Sequence, residues 1–265
     1  MTARQVQATR YATVPAMAIE TFDLKREWLQ AVLPDGLPVG ETTVVSGPGG
    51  SGKPLIGFAA VKSWLESGGS VVFLLTNSGR EFVDETMTEL YDFDVDAYPD
   101  RLSFVDFDPT LEPSVEGMVV DDPIEANLLE PAVWDEALSA AIDRVGDDVL
   151  VFASALNLFL FSPTYGDDSL EAFVDTVERD DDHTYLFTVS TSAFEDDIAR
   201  VEDASDTVLM TEMRDDRLYL RGERSDSVAV STDEVQVPFT PEQLGTIKSV
   251  SEETRTSLIP TLKEL

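Results

Sequence analysis

Residues 41–58 read ETTVVSGPGGSGKPLIGF. The β-branched run Thr42-Thr43-Val44-Val45 is suited to a strand. It leads into Gly47-Pro48-Gly49-Gly50-Ser51-Gly52-Lys53-Pro54, and Leu55, Phe58 and Ala59 then predict a helix through about Ser67. Strand, glycine-rich loop and helix form the order in which backbone N–H groups converge on a phosphate. The pattern G-x-x-x-x-G-K-[ST] is met at Gly47, Gly52 and Lys53 and fails at its last position, Pro54.

That failure is selective. Glycine permits positive φ, so successive N–H groups can face one point. The helix behind adds the partial positive charge of its N-terminus, and Lys53 adds a full one. None of this needs residue 54. A hydroxyl there would hold Mg²⁺, and proline has none. Pro54 still fits a first helical turn, where its missing N–H matters little. The expected phosphate contacts are therefore Gly47, Pro48, Gly49, Gly50, Ser51, Gly52, Lys53, Pro54 and Leu55. A glycine-rich turn without a ligand is the plainer alternative.

At 265 residues the chain can bury a substantial core. Its 52 acidic against 18 basic residues give a formal charge of -34, and only five of the basic residues are lysine. Self-repulsion on this scale penalises compactness unless salt screens it. The acidity runs along the whole chain, so an extreme-halophile, cytoplasmic surface is expected. Direct nucleic-acid binding is disfavoured, because neutralising phosphates needs clustered Lys and Arg. There is no cysteine, hence no disulfide or zinc–thiolate site. No secretory signal opens the chain and no apolar run reaches membrane-spanning length.

Outward from the loop, residues 1–22 read as a loose arm. Leu24, Trp28, Leu29 and Val32 have helical spacing that stops near Pro34-Asp35-Gly36. Val71 to Leu75, Leu102 to Val105, Val149 to Phe152 and Tyr185 to Val189 are apolar runs suited to buried strands, with helical patterns between them. The aspartates from Asp92 to Asp100 lack the spacing of a calcium loop. Residues 106–131 read as an irregular insertion. Leu158 to Phe161 is either packing, the favoured reading, or a partner surface. His183 reads as a surface turn residue. Arg214-Asp215-Asp216 reads as the turn of a hairpin. Residues 239–265 read as a helical tail. Strands alternating with helices imply an α/β fold with a mainly parallel central sheet, helices on both faces and a C-terminal antiparallel hairpin. Ligands then sit at the carboxyl ends of the strands.

Gly36-Leu37-Pro38-Val39-Gly40-Glu41, followed by Val44 to Lys53, resembles the opening of the KaiC-like branch of the RecA-superfamily P-loop ATPases. Its members tend to read l-P-x-G-s-x-x-l-v-s-G-p-p-G-s-G-K-T. Strand order and the hairpin ending Leu220-Arg221-Gly222-Glu223-Arg224 extend the likeness over roughly residues 30–230. The resemblance implies one RecA-like domain, residues 23–238, that binds ATP or another nucleotide.

Three departures bear on chemistry. Pro54 replaces the Mg²⁺-binding hydroxyl. Asn77-Ser78 stands where the family places water-polarising glutamates. Ala153, followed by Ser154, takes the place of the Walker B aspartate. Phosphoryl transfer depends on metal and charge placement, and losing a general base alone lowers rates by roughly 10² to 10⁴. Glu81 and Asp106 are the acids that could rescue a metal shell; otherwise Mg²⁺ is not expected to be held by the protein. Thr188, Ser190 and Thr191 close the strand that neighbours the P-loop strand in RecA-like sheets. They would bond a γ-phosphate or cap backbone. Arg221 and Arg224 resemble a basic pair that family members point at a neighbour's nucleotide; surface ion pairs are the alternative. The expected function is a degenerate nucleotide-binding or nucleotide-sensing regulatory protein that works through a protein partner or self-association. A slow ATPase with relocated ligands and a structural module with an empty loop are the alternatives.

Overall fold

A computed structural model describes residues 19–75, 79–179 and 183–265; in the last helix it describes no side chain at positions 246, 247, 250, 251, 253–255 and 257. The elements, in order, are β1 (Thr21–Phe22), α1 (Glu27–Gln30), β2 (Leu37–Pro38), β3 (Thr42–Ser46), α2 (Lys53–Glu66), β4 (Ser70–Leu75), α3 (Arg80–Tyr91) and β5 (Leu102–Phe107). After them come β6 (Val119–Val120), β7 (Ile124–Ala126), α4 (Pro131–Val145), β8 (Val149–Ala153), α5 (Gly166–Val177), β9 (Thr184–Thr188) and α6 (Glu195–Ala204). The chain ends with β10 (Thr207–Arg214), β11 (Arg217–Ser225), β12 (Val235–Gln236) and α7 (Pro241–Glu264).

Among the described residues, ten strands make one mixed sheet in the order β12-β11-β10-β3-β9-β8-β4-β5-β7-β6. From β10 to β7 every neighbour is parallel, and antiparallel strands close both edges. The apolar runs read from sequence fill its middle: β3, β4, β8 and β9 are buried at every position. Continuous burial follows from helices on both faces. Side chains alternate across the pleat, so Val45 enters one core and Val44 the other. The first core holds α2, α3 and the phenylalanines Phe58, Phe73, Phe104 and Phe152. Gly57 permits this packing, because a Cβ there would lie 2.0 Å from Phe152 Cε2. In the second core α4 and α5 pack Trp134 and Phe173 around Phe159.

The hairpin forms as expected, and Asp215 and Asp216 both have positive φ (50° and 56°), as a two-residue type I′ turn demands. Leu158, Phe159 and Leu160 are buried, so this stretch is packing. Three expectations need correction. Residues 1–18 of the expected arm lie outside the described residues, and its end is not loose, because Thr21–Phe22 pairs with Leu37–Pro38. The first helix is only a single turn, Glu27–Gln30. Residues 106–131 are not wholly irregular: β5 continues to Phe107, so Asp106 lies within it, and β7 pairs with it in parallel. The expected C-terminal helix forms as α7, and Leu244 and Leu262 on it are both buried.

Candidate functional site

β3 ends at Ser46, and the backbone turns through Gly47 (φ 147°), Gly50 (φ 75°) and Gly52 (φ 71°) into α2. At Gly47 only glycine fits. A Cβ would lie 2.4 Å from Thr211 Oγ1 and 2.5 Å from the Thr211 carbonyl oxygen. Gly52 takes the N-cap position, Lys53 opens the helix, and Pro54 follows in its first turn without strain. The loop crest at Pro48, Gly49 and Gly50 is exposed, whereas Ser51 and Lys53 are buried.

The Lys53 ammonium donates to the carbonyls of Gly47 (2.9 Å) and Pro48 (2.7 Å) and to Ser51 Oγ (3.2 Å). A buried cation needs such partners, and here the loop supplies them. Ser51 Oγ also meets Thr211 Oγ1 at 2.8 Å, and Thr211 Oγ1 donates to the Ser46 carbonyl at 3.0 Å. The segment after β9 runs beside the loop. Thr191 N–H donates to the Gly47 carbonyl (3.0 Å), and Ser192 Oγ accepts the Gly49 N–H (2.7 Å). The hydroxyl of Ser192 thus holds one of the N–H groups expected from the sequence to contact a phosphate. A cavity of about 210 Å³ adjoins Pro48 and is lined by Met210, Thr211, Glu212, Tyr219 and Arg221.

The structure separates the other expected residues into distinct roles. Thr188 is buried, and its Oγ1 accepts the Ala155 N–H at 3.2 Å, which caps the strand end. Ser190 N–H donates to Asn157 Oδ1 at 3.1 Å. Leu55 is buried, and its carbonyl accepts the Tyr91 hydroxyl. Arg224 donates to the carbonyls of Glu202, Asp203 and Ser205 and so caps the end of α6. Arg221 pairs with Glu223. Ser154 follows the end of β8, beside wholly buried Ala153. Asn77 and Ser78 lie outside the described residues.

Asp106 is not brought to the loop. Asp106, on β5, is four strands from β3 in the sheet order, about 19 Å at strand spacing. Burial, with the Glu125 carboxylate adding to it and Arg80 opposing, pushes the Asp106 carboxyl up to about 6. Its Oδ1 is buried without a hydrogen bond. Glu81 sits in the first turn of α3, next to Phe82, whose ring packs 6.0 Å from that of Phe58 on α2. The two positions to which the resemblance assigns Mg²⁺ hold a proline ring and a buried methyl, and these do not fit a metal. Among the described residues no group of three or more His, Cys, Asp or Glu side chains is arranged to hold a metal ion. None of the described helices is long and apolar enough to cross a membrane.

Ser192, Thr211, Leu244 and Lys248 were not legible as site residues. Each reaches the loop from a distant part of the chain, and no local motif marks it. No protein-family model and no curated protein sequence matches this chain.

Proposed function

We propose that Gly47 to Pro54 is a P-loop and that this chain is a nucleotide-binding regulatory protein of RecA-like, KaiC-like descent that does not turn its nucleotide over. One observation carries the reading. Three glycines of positive φ and a buried lysine stand between a central parallel strand and a helix N-terminus. That is the arrangement that binds phosphate. The pairing of β9 with β3 supports RecA-like descent, since the resemblance places those strands side by side. Metal chemistry has no footing at Pro54 or Ala153, and Asp106 lies four strands away. The output is then binding itself, read by a protein partner or a second copy in a salt-rich cytoplasm.

A structural module with an empty loop stands second. It is favoured by the way Lys53 and the Gly49 N–H are already satisfied within the protein. Calorimetric titration of ATP in molar KCl, with Mg²⁺ or with chelator, separates the two. Weak binding of similar strength in both conditions, lost in Lys53→Met, is the expected result. Absence of binding to the wild type leaves the empty-loop reading. Binding that requires Mg²⁺ and is followed by turnover refutes the loss of catalysis.

A further inference from the structure

The C-terminal helix does more than pack. Its start is fixed by a capping box, in which Thr240 Oγ1 accepts the Gln243 N–H (3.3 Å) and Gln243 Oε1 accepts the Thr240 N–H (2.9 Å). Leu244, one turn in, is buried in the core of the α2 face. Leu262, near the far end, is wholly buried in the core of the opposite face. A helix anchored in both cores has to cross an edge of the sheet. It crosses at the carboxyl ends of the strands, because it packs on the segment 156–161 after β8 and lies against the loop after β3. This is the edge at which ligands of parallel sheets sit.

The contact with the loop is specific. Leu244 Cδ2 lies 3.4 Å from where a Cβ on Gly52 would stand. Lys248, four residues on and therefore on the same helix face, has its Cε 3.7 Å from the corresponding point on Gly50. Its ammonium is one bond further, over an exposed crest. There it makes a 3.9 Å pair with Glu252, with both side chains more than half exposed (59% and 64%). Such a pair contributes little and exchanges readily for a stronger anion. Only five lysines occur in the chain, and two of them, Lys53 and Lys248, stand at this loop.

We propose that Lys248 is a phosphate-contacting residue, and that α7 holds it as a cationic clasp over a polyphosphate on the Gly49–Lys53 loop. This rests on the phosphate-binding reading above. The ligand class is a polyphosphate, because two separate cations flank the loop, Lys53 buried at its base and Lys248 at its exposed crest.

Inorganic triphosphate is the probe. It is titrated into the full-length wild type, Lys248→Gln, Lys248→Arg and Lys53→Met in molar KCl, with amide exchange of residues 244–256 followed in parallel. Lys248→Gln should bind about tenfold more weakly, the loss of one charge-assisted contact. Lys248→Arg should restore most of the affinity. Triphosphate should slow exchange in α7 of the wild type and not of Lys248→Gln. Position 248 is exposed, so the thermal midpoint of Lys248→Gln reports whether its fold is intact. Wild-type affinity in Lys248→Gln, with binding still lost in Lys53→Met, overturns the clasp and leaves the loop reading standing. No binding by the wild type, or undiminished binding by Lys53→Met, overturns the loop reading and the clasp with it.

Discussion

Replacing Ser192 by alanine should strengthen anion binding while slightly weakening the fold. In the free protein the Gly49 N–H donates to Ser192 Oγ at 2.7 Å, at an exposed position. An anion seated in the loop takes that N–H for itself, so binding must first break the internal bond. A neutral hydrogen bond has a net worth of about 0.5–1.5 kcal/mol, and exposure places this one in the lower half, about 0.5–1 kcal/mol. In Ser192→Ala the competitor is gone, and triphosphate affinity should rise about two- to fivefold. The same bond is lost to the free fold, so the thermal midpoint should fall by about 1–3 °C for a chain of this size. Calorimetry gives the first number and thermal unfolding the second, both in molar KCl. Unchanged or weaker affinity refutes the reasoning, because Ser192 would then be a ligand contact or a bystander, not a stand-in for the anion.

Other outcomes follow from the same geometry. Gly47→Ala forces a methyl to 2.5 Å from a backbone carbonyl of β10, which is held between β3 and β11, so it should lower stability by about 3–5 kcal/mol in denaturant titrations; a loss under about 1 kcal/mol contradicts the loop geometry. Asp106 holds its proton more tightly in the folded chain, about 6 against an ordinary 3.8, so its contribution is complete below about pH 4 and disappears as pH rises through 6. Asp106→Asn should therefore flatten this part of the pH–stability profile and gain about 1–2 kcal/mol at pH 7, the gross value of about 3 being reduced for partial solvent screening; an unchanged slope would count against the burial of Asp106. The acidic surface should make the unfolding midpoint climb between about 0.1 M and about 3 M KCl, as the screening length shrinks to about 3 Å and below. A flat salt profile contradicts the halophilic reading.

The central sheet was legible because the signals were local. Each long apolar run became a strand, and Asp215-Asp216 alone specified the hairpin turn. β6 and β7 were missed because they have only two and three residues, too few to show a period, and Pro123 stands between them. Their pairing depends on the edge of β5, which no window of sequence contains. The loop was legible from its glycines and Lys53, but its surroundings were not. Ser192 arrives through the register of β9 beside β3, Thr211 through β10, and Lys248 through a helix anchored in two cores. Asp106 looked like a rescuing ligand on the grounds that it follows the apolar run Leu102 to Val105; it lies within β5, and the crossover order of the sheet moves it away from the loop.

Phosphorus NMR of ATP mixed with stoichiometric protein, in molar KCl with Mg²⁺, reads retention and cleavage in one sample. The β- and γ-phosphate resonances should shift or broaden on mixing and persist for hours, with no inorganic phosphate above the protein-free control. A growing inorganic phosphate signal contradicts the loss of catalysis, and unperturbed ATP resonances contradict the binding loop itself.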